Sequence, residues 1–204
     1  MRKIFITGIG TDVGKTIVSA IITEALQADY WKPMQCGDLD FSDTDKVKRL
    51  VSSKKTVFHP EAYRLNTPAS PHYAAEIDNT KVRLGKLKAP ETNNTLVIEG
   101  AGGVLVPYNY RGDTVLDIIK ENEAEVIVVS RNYLGSINHT LLTLQALEHA
   151  NVKVLGIIFN GEHTPATEEV ILNKTKVPFL GRIKEEFILN KAVIKEYAQH
   201  YVFI

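Results

Sequence analysis

Cysteine is almost missing from this sequence: of 204 residues only Cys36 carries a thiol, so no disulfide can form within the chain. Long hydrophobic runs are missing too. The longest, such as Val126 to Val129 and Val154 to Phe159, fall far short of the roughly 20 residues needed to span a bilayer. The segment after Met1 has no apolar stretch of signal-peptide length, and with the lone cysteine this predicts a cytoplasmic protein with no membrane partner. Neither sign of charge prevails, because 24 Lys and Arg face 24 Asp and Glu. With zero formal net charge and no basic tail, nucleic acid is not expected as a partner. Trp31 is the one tryptophan, but eight tyrosines, seven phenylalanines and a 44% hydrophobic fraction supply ordinary core material and exclude whole-chain disorder.

What is present is an alternation of short apolar runs with helical patterns. Lys3 to Thr7, Tyr30 to Lys32, Thr95 to Glu99, Glu125 to Ser130, Lys153 to Asn160 and Pro178 to Leu180 are apolar at successive positions, as strands covered on both faces are. Helical patterns cover about Gly14 to Leu26, Thr114 to Asn122, Ser136 to Ala150, Ala166 to Lys176 and Leu189 to Tyr201. The expected class is α/β, a single mostly parallel sheet with helices on both faces, in one catalytic domain over residues 1–204. Residues 38–94 lack clean periodicity. A helix over Asp45 to Ser52, a loop over Asn66 to His72 and a polar helix over Asn79 to Lys88 are expected there, forming loops above the carboxyl edge of the sheet.

The sharpest signal is Gly8-Ile-Gly-Thr-Asp-Val-Gly-Lys-Thr16, set directly between the first strand and the first helix. Glycines let the backbone wrap a phosphate while the helix start aims free N–H groups at it. Lys15 then suits the terminal phosphates, and the Thr16 hydroxyl suits a magnesium ion carried by the nucleotide. Glu99 ends its strand and is followed by Gly100-Ala-Gly-Gly103, placing a carboxylate and a flexible turn beside that loop. Asp43 and Asp45 fall where a loop becomes a helix; either can ligate magnesium or cap the helix. Lys32 ends the second strand, where an ammonium can neutralise charge developing on a transferred phosphoryl group.

Together these residues resemble the dethiobiotin synthetase family. The likeness runs through Thr7-Gly8, Thr11, Val13 to Thr16, Trp31-Lys-Pro33, Gly37, Thr44-Asp45, Thr67 to His72 and Glu99 to Gly103. It continues through Leu134-Gly135, Ile137 to His139, Gly156, Asn160, Pro178 and Leu180-Gly181, and covers Arg2 to about Ile183. The resemblance implies a P-loop NTPase-like fold of seven strands, a homodimer, and ring closure on 7,8-diaminononanoate with carbon dioxide and MgATP through a phosphorylated carbamate. It implies Lys32, Lys15 and Thr11 as catalytic groups, and Thr16, Asp45 and Glu99 as magnesium-associated ones. ATP contacts are implied for Asp12, Val13, Gly14, Lys15, Thr16, Ile17, Asp45, Glu99, Gly100, Ala101 and Gly102. Asn160, Gly161, Pro178, Leu180 and Gly181 are implied around the adenine. Thr11, Lys32, Cys36, Gly102, Gly103 and Asn138 are implied as substrate contacts.

Four positions depart from the family pattern, one of them Lys184, which follows Ile183 where proline is frequent. Asp12 stands where glutamate is usual, Gly10 where aspartate is frequent, and Cys36 where a serine or threonine hydroxyl is usual. A thiol is the weaker donor, and the ring closure needs no cysteine nucleophile. A related class, the partitioning and septum-positioning ATPases, usually carries a second lysine at the loop start, where this sequence has Gly8-Ile9-Gly10. A nucleotide kinase would need an arginine-rich lid, yet Arg111, Arg131 and Arg182 are dispersed.

Overall fold

A computed structural model describes residues 1–201. In chain order the elements are β1 (Lys3–Gly8), α1 (Lys15–Leu26), β2 (Asp29–Trp31), β3 (Met34–Cys36), α2 (Asp43–Leu50), β4 (Phe58–His59), β5 (Tyr63–Leu65) and α3 (Pro71–Ile77). After a 3-10 turn at Leu84–Lys86 come β6 (Leu96–Gly103), α4 (Val115–Glu121), β7 (Glu125–Arg131) and α5 (Ser136–His149). The chain goes on through β8 (Val154–Asn160), α6 (Pro165–Thr175), β9 (Phe179–Ile183) and α7 (Lys191–Ala198).

Among the described residues seven strands form one sheet in the order β4-β2-β6-β1-β7-β8-β9, and each neighbouring pair is parallel. β3 and β5 make a separate parallel pair. The crossover from β1 through α1 runs toward one edge of the sheet; those through α4, α5 and α6 run toward the other. Right-handed crossovers in opposite directions put helices on opposite faces, and α1 packs with α2 and α7 while α5 packs with α6. The divergence leaves a crevice above the carboxyl ends of β1 and β6, the place where open α/β sheets bind ligands. The sheet is buried from both sides: Ile4, Phe5, Ile6, Leu96, Val97, Ile98 and Val126 to Val129 have no exposed surface. Among the described residues no helix is long and apolar enough to cross a membrane.

The region over the crevice differs from the sequence expectation. Residues 79–88 form only the short 3-10 turn, whereas a helix begins at Pro71, inside the expected loop. Proline at a first helical position has a suitable φ and lacks an N–H that would go unpaired there anyway, and Pro71 takes that place after Ser70. β6 also continues beyond Glu99 to Gly103, and β9 runs on to Ile183.

Candidate active site

The loop from Gly8 to Thr16 starts α1 with an unusual joint. Gly14 has φ 98°, and a Cβ there would lie 2.3 Å from the Asn160 side-chain nitrogen. Only glycine meets both the left-handed backbone and that close approach. Asn160 itself donates to the Val13 carbonyl at 2.9 Å, tying the end of β8 to the loop. The Lys15 ammonium curls back over the loop and donates to the Gly10 carbonyl at 2.8 Å. Burial lowers the Lys15 pKa to about 8, with Lys32 adding to the drop and Glu99, Asp43 and Asp12 opposing it.

Beside this loop, Glu99 of β6 meets Thr16 and gathers Tyr30 and Lys32 around it. Ile6 of β1 and Glu99 of β6 are register partners, and Tyr30 and Trp31 of β2 align with Val97 and Ile98 of β6. The next position along each of the latter strands holds Lys32 and Glu99. Lys32 Nζ lies 3.0 Å from Glu99 Oε1 and 2.6 Å from Asp43 Oδ2. The same Glu99 oxygen accepts the Thr16 hydroxyl at 2.8 Å, and its other oxygen accepts the Tyr30 hydroxyl at 2.8 Å. Burial disfavours the charges of Lys32 and Asp43, but attraction to Glu99 and then Asp43 outweighs it for Lys32, and attraction to Lys32 and then Lys46 outweighs it for Asp43. The lysine pKa is thereby raised and the aspartate pKa lowered. Burial and the Glu99 charge push the Tyr30 phenol well above its ordinary value, so it remains a donor.

These groups open into a cavity of about 720 Å³. Of the sequence-predicted residues, Thr11, Asp12, Gly14, Lys15, Thr16, Ile17, Lys32, Cys36, Glu99, Gly100, Ala101 and Gly102 line it. Its far wall is Pro68 to Pro71, the approach to α3. Val13 is buried behind the loop, and Gly103 pairs with Gly8 beside it. Burial raises the Cys36 thiol to about 11 against a smaller opposing effect of Lys32, which leaves it a neutral wall of the cavity.

Other predicted residues stand elsewhere. Asp45 is absent from the cavity lining. Its carboxylate accepts the Ser42 backbone N–H at 2.9 Å and the Ser42 hydroxyl at 2.7 Å, a capping box that starts α2. Those bonds hold its pKa low. Asp43, two residues earlier, is the aspartate that faces Lys32. Pro178, Leu180 and Gly181 also need correction as an adenine wall. Parallel pairing sets Phe179 beside Ile157 and Ile183 beside Asn160, so residues 178–181 fall short of the carboxyl edge. Leu180 instead packs at Gly156 and Gly181 at Tyr201. Asn160 and Gly161 do reach that edge, where Gly161 N–H donates to the Ile183 carbonyl at 2.8 Å. Asn138 is exposed on α5, outside the cavity lining.

Tyr30 and Gln35 were not singled out by sequence. Gln35 lines the cavity and accepts the Asp43 backbone N–H at 3.3 Å. Residue spacing held a signal for Tyr30: it lies two positions before Lys32, and alternate strand residues share a face.

Comparison with known proteins fits this geometry. A family model described as an AAA domain matches residues 2–192. The ATP-dependent dethiobiotin synthetase BioD of Christiangramia forsetii is 54% identical, over 98% of this chain and 96% of its own. Its counterpart from Cytophaga hutchinsonii is 50% identical, over 97% and 96%. Among solved structures, the cell division ATPase MinD of Pyrococcus furiosus aligns with a TM-score of 0.61 at 16% identity, covering 98% of each chain. A ParA family ATPase from Chlorobium tepidum aligns with a TM-score of 0.56 at 12% identity, again over 98% of each. The structural neighbours establish a shared P-loop NTPase-like fold and nothing narrower, whereas the full-length sequence likeness is specific. The chain belongs to the ATP-dependent dethiobiotin synthetase family.

Proposed function

We propose that this protein closes a cyclic urea on 7,8-diaminononanoate, using carbon dioxide and ATP, through a phosphorylated carbamate. The observation that carries the reading is the convergence of Lys15, Lys32, Thr16 and Glu99 on one cavity beside a phosphate loop. One substrate amine adds to carbon dioxide and loses a proton, giving a carbamate. A carbamate oxygen attacks the γ-phosphorus, the bond to the bridging oxygen breaks, and ADP leaves. The second amine attacks the carbamate carbon, and its C–O bond to phosphate breaks, releasing dethiobiotin, phosphate and a proton.

The two reactants of the phosphoryl step are both anionic, so the site must supply positive charge where water is restricted. Lys15 serves the ATP phosphates, and Lys32 serves the carbamate and the transferred group. The oxygens of Thr16, Glu99 and Asp43 form a hard donor set that fits magnesium. Magnesium bound there would neutralise charge on the ATP phosphates. Thr11, Cys36 and the backbone of Gly102 and Gly103 face the substrate in this reading. The amide of Asn160, whose oxygen remains available to accept, reads the adenine edge with Gly161 beside it. Mass spectrometry of the product from ¹³C-bicarbonate, diaminononanoate and MgATP tests the reaction. Dethiobiotin heavier by one mass unit supports it; ATP hydrolysis without labelled dethiobiotin contradicts it.

An anion against the Lys15 ammonium favours its charged form, and above pH of about 8 the free protein increasingly lacks that charge. Nucleotide affinity is therefore expected to fall as pH rises through this value, with proton uptake on ADP binding. Calorimetry in buffers of different ionisation heat measures the uptake. Equal binding heats across such buffers above this pH would contradict the assignment.

The proposal includes a homodimer and, with the lone cysteine, a cytoplasmic setting. Leu144 and Leu147 of α5 point into the core, but Leu134 is fully exposed and Tyr133 and Leu142 are about half exposed. An apolar surface of this kind suits burial against a second copy. Light scattering should give twice the 22.7 kDa chain mass; a mass of one chain at high protein concentration would rule the dimer out.

A further inference from the structure

Tyr30 has no exposed surface, and its ring packs against Phe58 at 5.9 Å between centroids. Phenylalanine would fill that space equally well, so packing leaves the hydroxyl unexplained. A buried hydroxyl loses hydration and needs a specific partner. Here the partner is Glu99, itself 1% exposed. The carboxylate is divided between two tasks: Oε1 meets Thr16 and Lys32, and Oε2 meets Tyr30. The terminal torsion of glutamate is broad and roughly two-fold, so packing alone sets the carboxylate plane weakly. A fixed donor at one oxygen selects the orientation in which the other faces the phosphate loop.

We propose that Tyr30 is a positioning residue that holds Glu99 Oε2 so that Oε1 is presented toward Thr16 and the metal carried by the nucleotide. This rests on the magnesium reading of Glu99 given above. Partners that orient metal-facing carboxylates commonly change metal affinity about 10- to 100-fold when removed. Tyr30 touches neither substrate nor metal; it acts through Glu99.

Tyr30→Phe removes one oxygen and keeps the ring. With ADP present, Mn²⁺ titration followed by the paramagnetic resonance of the free ion should show about tenfold weaker binding, corrected for Mn²⁺ held by ADP alone. ADP affinity without metal should change less than twofold. In turnover, the magnesium concentration at half-maximal rate should rise while the rate at saturating magnesium largely recovers. The double variant Tyr30→Phe/Glu99→Gln should bind Mn²⁺ no more weakly than Glu99→Gln alone, because both changes act through one carboxylate. Thermal unfolding of each protein separates folding from binding. Wild-type Mn²⁺ affinity in Tyr30→Phe, beside a weakened Glu99→Gln, would reduce the hydroxyl to a structural role and overturn the proposal while sparing the metal assignment. Wild-type affinity in Glu99→Gln would overturn both. Should Tyr30→Phe fail to fold, Tyr30→Trp, whose indole N–H can donate, and Tyr30→Leu, which cannot, provide the comparison; equal Mn²⁺ affinity in those two would also overturn it.

Discussion

Lys32→Gln is expected to slow dethiobiotin formation about 100-fold or more while changing nucleotide affinity only modestly. The scale is that of one electrostatic stabiliser worth roughly 3 kcal/mol in the transition state, at 1.36 kcal/mol per tenfold in rate. Glutamine keeps much of the stem but offers no charge to the carbamate or transferred phosphoryl group. It also leaves Asp43 and Glu99 without the ammonium now 2.6 and 3.0 Å away. Breaking such a buried pair destabilises folds by about 3–5 kcal/mol, so ADP binding and circular dichroism must be measured on the same samples as turnover. Lys32→Arg should recover part of the rate, because its planar fork keeps the charge but distributes it differently. Near-normal turnover in folded Lys32→Gln would make Lys32 only a counter-charge for two carboxylates.

Lys15→Ala should give the complementary result, with ADP affinity lowered about 10- to 100-fold and turnover lost with it. A charge-assisted hydrogen bond contributes about 1.5–3 kcal/mol, which sets that range. The fold should survive. Burial opposes the Lys15 charge, lowering its pKa to about 8, and its side-chain hydrogen bond in the protein goes to the Gly10 carbonyl. Little net stability is therefore lost when it is removed. Calorimetric titration beside thermal unfolding checks both halves; unchanged ADP affinity in the folded variant would remove Lys15 from the phosphate site.

Much of this arrangement was legible because physics ties it to short sequence patterns. Buried parallel strands read as continuous apolar runs, and the glycine-rich turn before α1 has few other uses than anion binding. Glu99 could be placed because it is the first charged residue after such a run. The choice between Asp43 and Asp45 failed at helix-cap chemistry, although Ser42 followed three residues later by Asp45 was itself a readable cap signature. Pro178 and Gly181 were misplaced for a different reason. Where a strand begins in sequence does not reveal how far it runs, and β9 carries the carboxyl edge on to Ile183. The network of Tyr30, Glu99, Thr16 and Lys32 depends on lateral register among β2, β6 and β1, which follows from tertiary pairing rather than any local pattern.

The most direct test of the account follows oxygen. In the proposed sequence, the carbamate oxygen that attacks the γ-phosphorus comes from carbon dioxide and leaves with inorganic phosphate. Turnover with ¹⁸O-bicarbonate, MgATP and diaminononanoate, carried out faster than bicarbonate exchanges with water, should yield phosphate carrying one ¹⁸O atom per dethiobiotin formed. Mass spectrometry of the phosphate reads this result, corrected for residual exchange. Dethiobiotin formed alongside phosphate with no ¹⁸O would contradict a phosphorylated carbamate, and with it the role assigned to Lys32.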